Sequence, residues 1–469
     1  MAVAGAALGA DVVNPHVTTD RSIDTSSVKA MVAGLVKPGM SDREKALAIY
    51  NYVRRTMFHY RHLTGVGGGG AMNLINGTGY TLCTPTASVQ VELCEAAGLK
   101  ARILNTPGHG SCTVFYDGRW HWMDAFLGGC VWNKDKTDLA GLQEVVDDPS
   151  LLTREDPSPV PLFPCRDLLY ADALRFEPGN QKYHQACAPD DASWTQRAKP
   201  GERHGAYWSS SMTLDITLRP GETYLRRWDH EPGMYFLTKV QERFAPPHHF
   251  CGLDAEKRDR VNWPYWKPYV KPITSLDPKT GKTTTVQTGR YWANGRLTWR
   301  PDLSSPDLVK QFALARNVQA TEHGLAPADP ARAAVLEWTV TCPYILQGGW
   351  LRVKTSGTVT ASIKTAPAGA FAPLPLADRD GALEGHLRPH FLRTMGTRNY
   401  VLHLELAGRD ARLSNLELDT VLQHNMYALP QLMPGRNRMK VVAADSTPGR
   451  PRMRSSSPKK NARRWASSG

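Results

Sequence analysis

The stretch from Thr84 to Asp124 restricts the fold of this 469-residue chain more than any other part of its sequence. Apolar residues recur at helical spacing over Thr84–Ala97, with Pro85 near the first turn and Gly98 as a C-cap. Strands are predicted directly after this helix, at Lys100–Asn105, Ser111–Tyr116 and Arg119–Asp124. The last two are joined by Asp117-Gly118, which favours a two-residue hairpin turn. A buried helix followed by an antiparallel sheet indicates the α+β class.

Two further helices are predicted upstream of this stretch. The first covers Ser26–Val36, and the second follows Ser41, whose hydroxyl is placed to form a capping box with Glu44. Apolar residues then recur on one face of the second helix, at Ala46, Ile49, Tyr50, Val53 and Met57. The segment Gly65–Gly70 is predicted to be a loop, because ordering so many glycines in a helix or strand costs too much conformational entropy.

The second half of the chain is predicted to be all-β. Alternating runs rich in Val, Thr, Tyr and Trp, separated by Gly, Pro and Asn, extend from Trp208 to about Ala428. The runs are 211–218, 224–228, 233–237, 290–299, 334–342, 351–355, 359–365, 400–406 and 415–421. Short strands with frequent turn residues predict an antiparallel β-sandwich.

The net charge of +13 is unevenly distributed along the chain. Seven basic and no acidic residues follow Asp445, so about +6 remains on the preceding residues, a moderate value for their number. The basic end is rich in Pro, Ser and Arg and is predicted to be a solvated tail, with attachment to an anionic surface as the alternative. No nucleic-acid partner is therefore indicated, and no apolar run is long enough to span a bilayer.

The eight cysteines contain neither a CxxC pair nor a zinc-like Cys/His spacing, so neither a metal nor another cofactor is predicted. Cys94 and Cys112 stand in apolar patterns typical of buried thiols, whereas Cys130, Cys165 and Cys187 could pair in an oxidising compartment. The first residues, MAVAGAALGADVV, contain a short apolar run but no basic region of a secretory signal. We interpret this run as a candidate signal remnant and favour a periplasmic or extracellular location, with a cytoplasmic one left open.

Three residues carry the pattern of a nucleophilic site. Cys83 stands at the predicted helix start, where backbone amides and the helix dipole stabilise negative charge on sulfur. His109 lies just before one strand of the hairpin, and Asp124 ends the other. Because these strands are antiparallel, their outer ends meet, and the carboxylate can orient the imidazole that accepts the thiol proton. Singly, each residue is more often structural; together they indicate a cysteine nucleophile.

These residues resemble the transglutaminase-like superfamily, which shares the papain-type Cys/His/Asp arrangement. The resemblance covers Ser41 to Asp124 and is carried by Cys83, Gly98-Leu99-Lys100-Ala101-Arg102, His109, Gly118-Arg119-Trp120 and Asp124. It implies a papain-like core of helices and antiparallel sheet. It also implies a thiolate nucleophile at Cys83, a general base at His109 and an orienting carboxylate at Asp124.

Other parts of the site are less defined. Gly110-Ser111-Cys112 follows the histidine where many members of the superfamily have an aromatic residue. For the oxyanion, the Cys83 amide and the side chains of Asn76 and Tyr80 are candidate donors. Trp120 is interpreted as a core residue, with a wall of the substrate groove as the alternative. Four later tryptophans are interpreted in the same way, with a glycan platform as the alternative: Trp292, Trp299, Trp338 and Trp350.

Five segments are expected along the chain. They are a candidate signal remnant at 1–25, a transglutaminase-like catalytic domain at 26–146, an irregular linker at 147–207, a β-sandwich domain at 208–428 and a basic disordered tail at 429–469. The predicted function is hydrolysis of an amide or peptide bond through a thioester, with a protein or peptide substrate. The alternatives are protein-glutamine acyl transfer to an amine and a non-catalytic module that binds glycan or protein at a cell surface. No acidic cluster resembles the calcium sites of animal transglutaminases, which favours hydrolysis.

Overall fold

The computed structural model describes most of the chain outside one long central stretch. The described residues are 2–4, 11–20, 22–59, 69–81, 83–106, 109–125, 130–152, 212–228, 231, 234, 273–276, 283–286, 292–366, 368–394, 397–430, 436–443, 445–446 and 453–454. Most of the linker expected at 147–207, including Cys165 and Cys187, therefore lies outside the described residues. The strand expected at 233–237 lies almost wholly outside them.

The described helices are concentrated in the N-terminal third of the chain. The α-helices are α1 (Val28–Leu35), α2 (Asp42–Thr56), α3 (Ala71–Asn73), α4 (Cys83–Ala96), α5 (Leu142–Asp147) and α6 (Arg388–Thr394). A π-helical turn, Leu74–Thr78, continues α3. Short 3-10 helices cover Pro149–Leu152, Pro306–Gln311 and Met426–Ala428.

Strands account for most of the remaining regular structure. They are β1 (Ala2–Ala4), β2 (Val12–Val13), β3 (His16–Thr19), β4 (Phe58–His59), β5 (Tyr80–Thr81), β6 (Lys100–Thr106), β7 (His109–Tyr116), β8 (Arg119–Trp122), β9 (Thr217–Leu218), β10 (Glu222–Arg226), β11 (Ile273–Leu276), β12 (Thr283–Val286), β13 (Trp292–Trp299), β14 (Leu314–Arg316), β15 (Val318–Thr321), β16 (Gly324–Pro327), β17 (Ala334–Lys364), β18 (Ala372–Pro373), β19 (Ala377–Arg379), β20 (Ala382–His386), β21 (Thr397–Asn425), β22 (Met439–Val442), β23 (Asp445–Ser446) and β24 (Met453–Arg454).

The predicted capping box begins α2. The Ser41 amide donates to Glu44 Oε2 at 2.7 Å, and the Glu44 amide donates to Ser41 Oγ at 3.3 Å. Two amides at the helix start are thereby satisfied. The apolar stripe of α2 is fully buried in the N-terminal core, at Ala46, Ile49, Tyr50, Val53 and Met57.

Replacing Ser41 with alanine should lower the free energy of unfolding by about 1 kcal/mol, because the Glu44 amide loses its acceptor. Urea denaturation of wild type and variant measures this difference. An unchanged midpoint would show that the cap makes no net contribution to stability.

The predicted hairpin and its preceding helix are also confirmed. β6, β7 and β8 form an antiparallel sheet, and the β7–β8 turn has φ 48° at Asp117 and φ 79° at Gly118. Positive φ at both central residues is the geometry that Asp-Gly favours in a two-residue hairpin. Helix α4 packs across β6 and β7, and its buried residues share one core with α1 and α2. This arrangement of helices and antiparallel sheet is α+β.

The C-terminal half contains a large antiparallel sheet dominated by two long strands. The main strand order is β19-β20-β17-β21-β13-β10-β1-β24. Five predicted runs merge into β17 and β21, which pair with each other over 334–341 with 399–406, 345–354 with 415–423 and 355–364 with 401–413. Leu406 pairs with both Ala334 and Val359, so β17 flanks part of β21 on both sides. The antiparallel pairing agrees with the predicted all-β region, and the sandwich arrangement stays a prediction.

Both ends of the chain contribute to this β-rich half, which the sequence analysis did not predict. Val12–Val13 pairs with Thr217–Leu218, and His16–Thr19 pairs with Met439–Val442. Val12 and Val17 are buried in the C-terminal core. Strands of two to four residues are too short to produce a recognisable alternation, so the segments 1–25 and 429–469 gave no sequence signal for them.

Candidate active site

Cys83 is the first residue of α4 and is partly exposed. Pro85 lies in the same turn, where its missing amide costs no helical hydrogen bond. The Cys83 Sγ lies 4.0 Å from Thr84 Oγ1. Cys83 therefore stands at the N-terminal end of a 14-residue helix, where free amides and the helix dipole favour negative charge.

The start of α4 lies directly against the start of β7. A Cβ added to Gly110 would lie 3.0 Å from the Cα of Thr84 and would also collide with the Thr84 hydroxyl. Only glycine permits this approach of the two backbones. Cys83 precedes Thr84 and His109 precedes Gly110, so the contact places the two predicted catalytic residues at neighbouring positions. It also gives a physical reason why a bulky residue cannot follow His109 here.

The hairpin register brings the residues after β8 back towards the start of β7. Thr113 pairs with Trp122, and the Met123 amide donates to the Cys112 carbonyl at 3.0 Å. Continued by two residues, this register brings the Asp124 backbone opposite Ser111, two residues along β7 from His109. Diagonal neighbours of this kind are within reach of long side chains. The His109 imidazole itself lies outside the described atoms.

Asp124 is 1% exposed, and its charge is felt by the buried Tyr50 hydroxyl. Burial raises the pKa of Tyr50 well above its usual value; the positive charge of Arg54 opposes this shift, and Cys130 and Asp124 add to it. The Arg54 guanidinium lies 4.9 Å from the centre of the Tyr50 ring and is itself buried. Arg54 has no distinctive signal in the sequence beyond its position four residues after Tyr50, which puts it on the buried face of α2.

The other thiols of the domain occupy a different environment. Cys94 and Cys112 are completely buried, as predicted, and burial raises the pKa of both well above that of a free thiol. Cys130 is also buried. At neutral pH Cys94 and Cys112 are therefore protonated and shielded, whereas Cys83 is the partly exposed thiol among the described cysteines.

Of the two side chains considered as oxyanion donors, Asn76 and Tyr80, the structure describes only that of Asn76. Asn76 is fully buried, and its amide nitrogen donates to the carbonyls of Thr25 at 3.0 Å and Met72 at 3.1 Å. Both amide hydrogens are thereby engaged, so Asn76 has no donor left for an oxyanion. The backbone of Tyr80 forms β5, whereas its side chain lies outside the described atoms.

Trp120 lies far from the start of α4. It pairs with Phe115, six residues along β7 from His109, which corresponds to about 20 Å of extended strand. Its ring packs against Phe115 and lies 4.1 Å from the Arg102 guanidinium. A wall of the substrate groove at Trp120 would therefore have to belong to a distant part of that groove.

The later tryptophans do not form a shared platform. Trp299 and Trp338 are buried and pack against each other and Phe312 with ring centres 5.9 Å apart, as expected for core residues. Trp350 is partly exposed beneath the Arg296 guanidinium, and the side chain of Trp292 lies outside the described atoms. Burial of Trp299 and Trp338 removes two of the four rings from any glycan-binding surface.

Comparison with known families agrees with this geometry. Residues 29–134 match the family model of the transglutaminase-like superfamily, and this segment includes Cys83, His109 and Asp124. The chain therefore carries a transglutaminase-like domain. Proteins of this superfamily are generally enzymes, and the match suggests papain-like cysteine acyl transfer or peptidase activity. A search of curated proteins found no significant match to the chain.

Two other structural observations concern possible partners. Among the described residues, no group of three or more His, Cys, Asp or Glu side chains is arranged to hold a metal ion. No helix in the described part of the chain is both long and apolar enough to cross a membrane.

Replacing Gly110 with alanine should slow alkylation of Cys83 by about tenfold, because the new methyl group pushes the start of α4 away from β7. The measurement is the rate of iodoacetamide labelling with the labelled peptide identified by mass spectrometry. Gly118→Ala is the control: it adds a methyl group at the opposite end of the same hairpin, at φ 79° but with no atom within 4 Å. Equal labelling rates in the Gly110 variant and wild type would contradict the tight contact at this position.

Proposed function

We propose that the transglutaminase-like domain is a cysteine-nucleophile enzyme that hydrolyses an amide or peptide bond through a thioester. The observation that carries this proposal is the contact between Thr84 and Gly110, which joins the cysteine at a helix start to the strand that begins with His109. The superfamily match over the same residues supports it.

In the proposed reaction, the Cys83 thiolate attacks the substrate carbonyl, and His109 holds the proton taken from the thiol. The carbonyl oxygen becomes an oxyanion near the free amides at the start of α4. His109 then gives its proton to the departing amine, which leaves Cys83 acylated. Water attacks the thioester with His109 again accepting a proton, and this step releases the acid and restores the thiol.

Asp124 has an orienting role in this scheme. A buried carboxylate whose backbone lies opposite the start of β7 can hold one imidazole nitrogen and direct the other towards sulfur. The carboxylate also stabilises the imidazolium that forms when His109 accepts the thiol proton. Asp124 thus acts through His109 and does not contact the substrate.

A protein or peptide is the proposed substrate, because the chemistry requires an accessible amide and the superfamily match includes peptidase activity. Export is proposed together with this substrate, on the basis of the apolar residues that precede Asp11; Val12–Val13, at the end of the run, belongs to the fold as β2. Separating the periplasm, medium and cytoplasm of an expressing cell and locating the chain by immunoblot tests the location. Recovery in the cytoplasm alone would contradict export.

An activated ester, p-nitrophenyl acetate, tests the proposed acyl-enzyme without knowledge of the natural substrate. We expect a burst of nitrophenolate stoichiometric with enzyme and an acetyl group on the peptide containing Cys83. Faster turnover with amide formation after addition of a primary amine would favour acyl transfer over hydrolysis. The absence of both burst and adduct would contradict an active enzyme and favour a non-catalytic binding module.

A further inference from the structure

Asn425, the last residue of β21, reaches from the C-terminal sheet into the transglutaminase-like domain. It is fully buried, and its amide nitrogen donates to the carbonyls of Thr56 at 2.8 Å and Ile75 at 2.7 Å. Its side-chain oxygen accepts a hydrogen bond from the Tyr427 amide at 3.0 Å. All hydrogens of the side-chain amide are therefore used to join two segments of the other domain.

These two segments lead directly to the cysteine. Thr56 ends α2 just before β4, and Ile75 lies in the π-helical turn just before β5. β4 and β5 form a parallel pair, Phe58 with Tyr80 and His59 with Thr81, and β5 ends two residues before Cys83. The hydrogen bonds from Asn425 thus hold the residues that precede β4 and β5. β5 in turn leads to Cys83 at the start of α4.

Asn425 also packs tightly against Gly79, which lies between the π-helical turn and β5. A Cβ on Gly79 would lie 2.5 Å from Asn425 Cγ, and Gly79 has φ 68°. The Gly79 amide closes the π-helical turn by donating to the Leu74 carbonyl at 2.8 Å. The backbone between the turn and Tyr80 is therefore in direct contact with a residue of the C-terminal sheet.

A second contact of the same kind lies nearby. The Arg398 guanidinium, also on β21, donates to Asn73 Oδ1 on α3. Asn73 immediately precedes the π-helical turn, so β21 holds this turn at both of its ends. Burial of the turn residues keeps water from replacing these hydrogen bonds.

We propose that Asn425 is a positioning residue for Cys83, through which the C-terminal sheet sets the geometry of the nucleophile. This inference rests on the proposed function, because it concerns the reactivity of Cys83. The C-terminal half of the chain is then a required part of the enzyme rather than an attached module. In this proposal Asn425 acts on Cys83 through residues 56–59 and 75–81, which it holds in place by its hydrogen bonds to Thr56 and Ile75.

The test compares two isosteric substitutions in the full-length chain. Asn425→Asp keeps the acceptor for Tyr427 but turns an oxygen towards two buried carbonyls. Asn294→Asp is the matched control, because Asn294 is equally buried and donates to the carbonyls of Met234 at 2.8 Å and Leu422 at 3.1 Å, within the C-terminal half. The readout is the rate of iodoacetamide labelling of Cys83 across the pH range, on protein shown to be folded by circular dichroism.

We expect labelling of Cys83 near pH 6 to be about tenfold slower in Asn425→Asp, with the pH midpoint displaced upward, and close to wild type in Asn294→Asp. Equal rates in Asn425→Asp and Asn294→Asp would overturn the inference, since general loosening would then explain the effect. If Asn425→Asp does not fold, Arg398→Lys replaces it, with about threefold slower labelling expected and an unchanged rate overturning the inference. A wild-type Cys83 no more reactive than a free thiol would instead contradict the proposed function itself.

Discussion

Replacing Cys83 with serine should reduce turnover of p-nitrophenyl acetate by at least about 10⁴-fold and remove the acetyl adduct. The serine hydroxyl has a much higher pKa than a thiol, so a helix start and an imidazole suited to a thiolate do not deprotonate it. Because Cys83 is partly exposed at a helix start, loss of one sulfur should leave the fold intact. The measurement is steady-state nitrophenolate release by wild type and variant.

Cys94→Ala is the control for this comparison. Cys94 is on the same helix but completely buried, and it has no role in the proposed reaction. Its variant should lose stability through the cavity left in the core and keep turnover within about twofold at a temperature where it is folded. Loss of turnover in Cys94→Ala, or retained turnover in Cys83→Ser, would show that Cys83 is not the nucleophile.

Replacing Asp124 with asparagine should lower turnover by about 10³- to 10⁴-fold while slowing Cys83 alkylation much less. In Asp124→Asn the helix start still stabilises the thiolate. The imidazole, however, loses the carboxylate that orients it and stabilises its charged form. Parallel measurement of nitrophenolate release and iodoacetamide labelling separates these two effects. A structural role alone would reduce both rates together.

Asp138→Asn provides a matched control for the loss of a carboxylate. Asp138 accepts a hydrogen bond from Arg43 at 2.8 Å and lies 3.7 Å from both Arg119 and His121, away from the start of α4. Its variant should lose stability and retain turnover within about threefold. If Asp138→Asn and Asp124→Asn lose turnover equally, the orienting role of Asp124 is wrong.

The predictable parts of the fold depend on local chemistry. Ser41 and Glu44 satisfy each other's backbone within one helical turn, so their pattern alone predicts the start of α2. Asp117-Gly118 predicts the hairpin because few other dipeptides adopt positive φ at both positions. Each of these signals lies within four consecutive residues. Helix α2 and the β7–β8 hairpin accordingly lie within a few residues of their predicted bounds.

The parts that sequence reasoning missed depend on distant partners. The runs expected as separate strands form continuous β17 and β21, because long-range pairing between them continues through the intervening residues. The strands at Val12–Val13 and Met439–Val442 exist only through partners hundreds of residues or nearly the whole chain away. No local pattern contains that information.

The candidate site likewise combines residues that local sequence patterns predict with residues that only distant contacts define. The order Cys83, His109, Asp124 and the helix and strand ends that present them were readable from the sequence. Asn425 was not, because an asparagine at the end of a strand has no distinctive pattern and its partners are carbonyls 350 and 369 residues away. Asn76 was one of the candidate oxyanion donors, but it is buried with both amide hydrogens engaged, which depends on how α3 and the following turn pack.

The pH dependence of Cys83 alkylation tests the central claim most directly. Wild-type protein is treated with iodoacetamide near pH 6, with the modified cysteine mapped by mass spectrometry, and His109→Ala is treated in the same way. We predict that Cys83 reacts much faster than a free thiol and than the buried Cys94 and Cys112, and that His109→Ala slows the reaction markedly. Alkylation of Cys83 no faster than a free thiol, with no effect of His109→Ala, would contradict a thiolate–imidazole pair and with it the proposed enzyme.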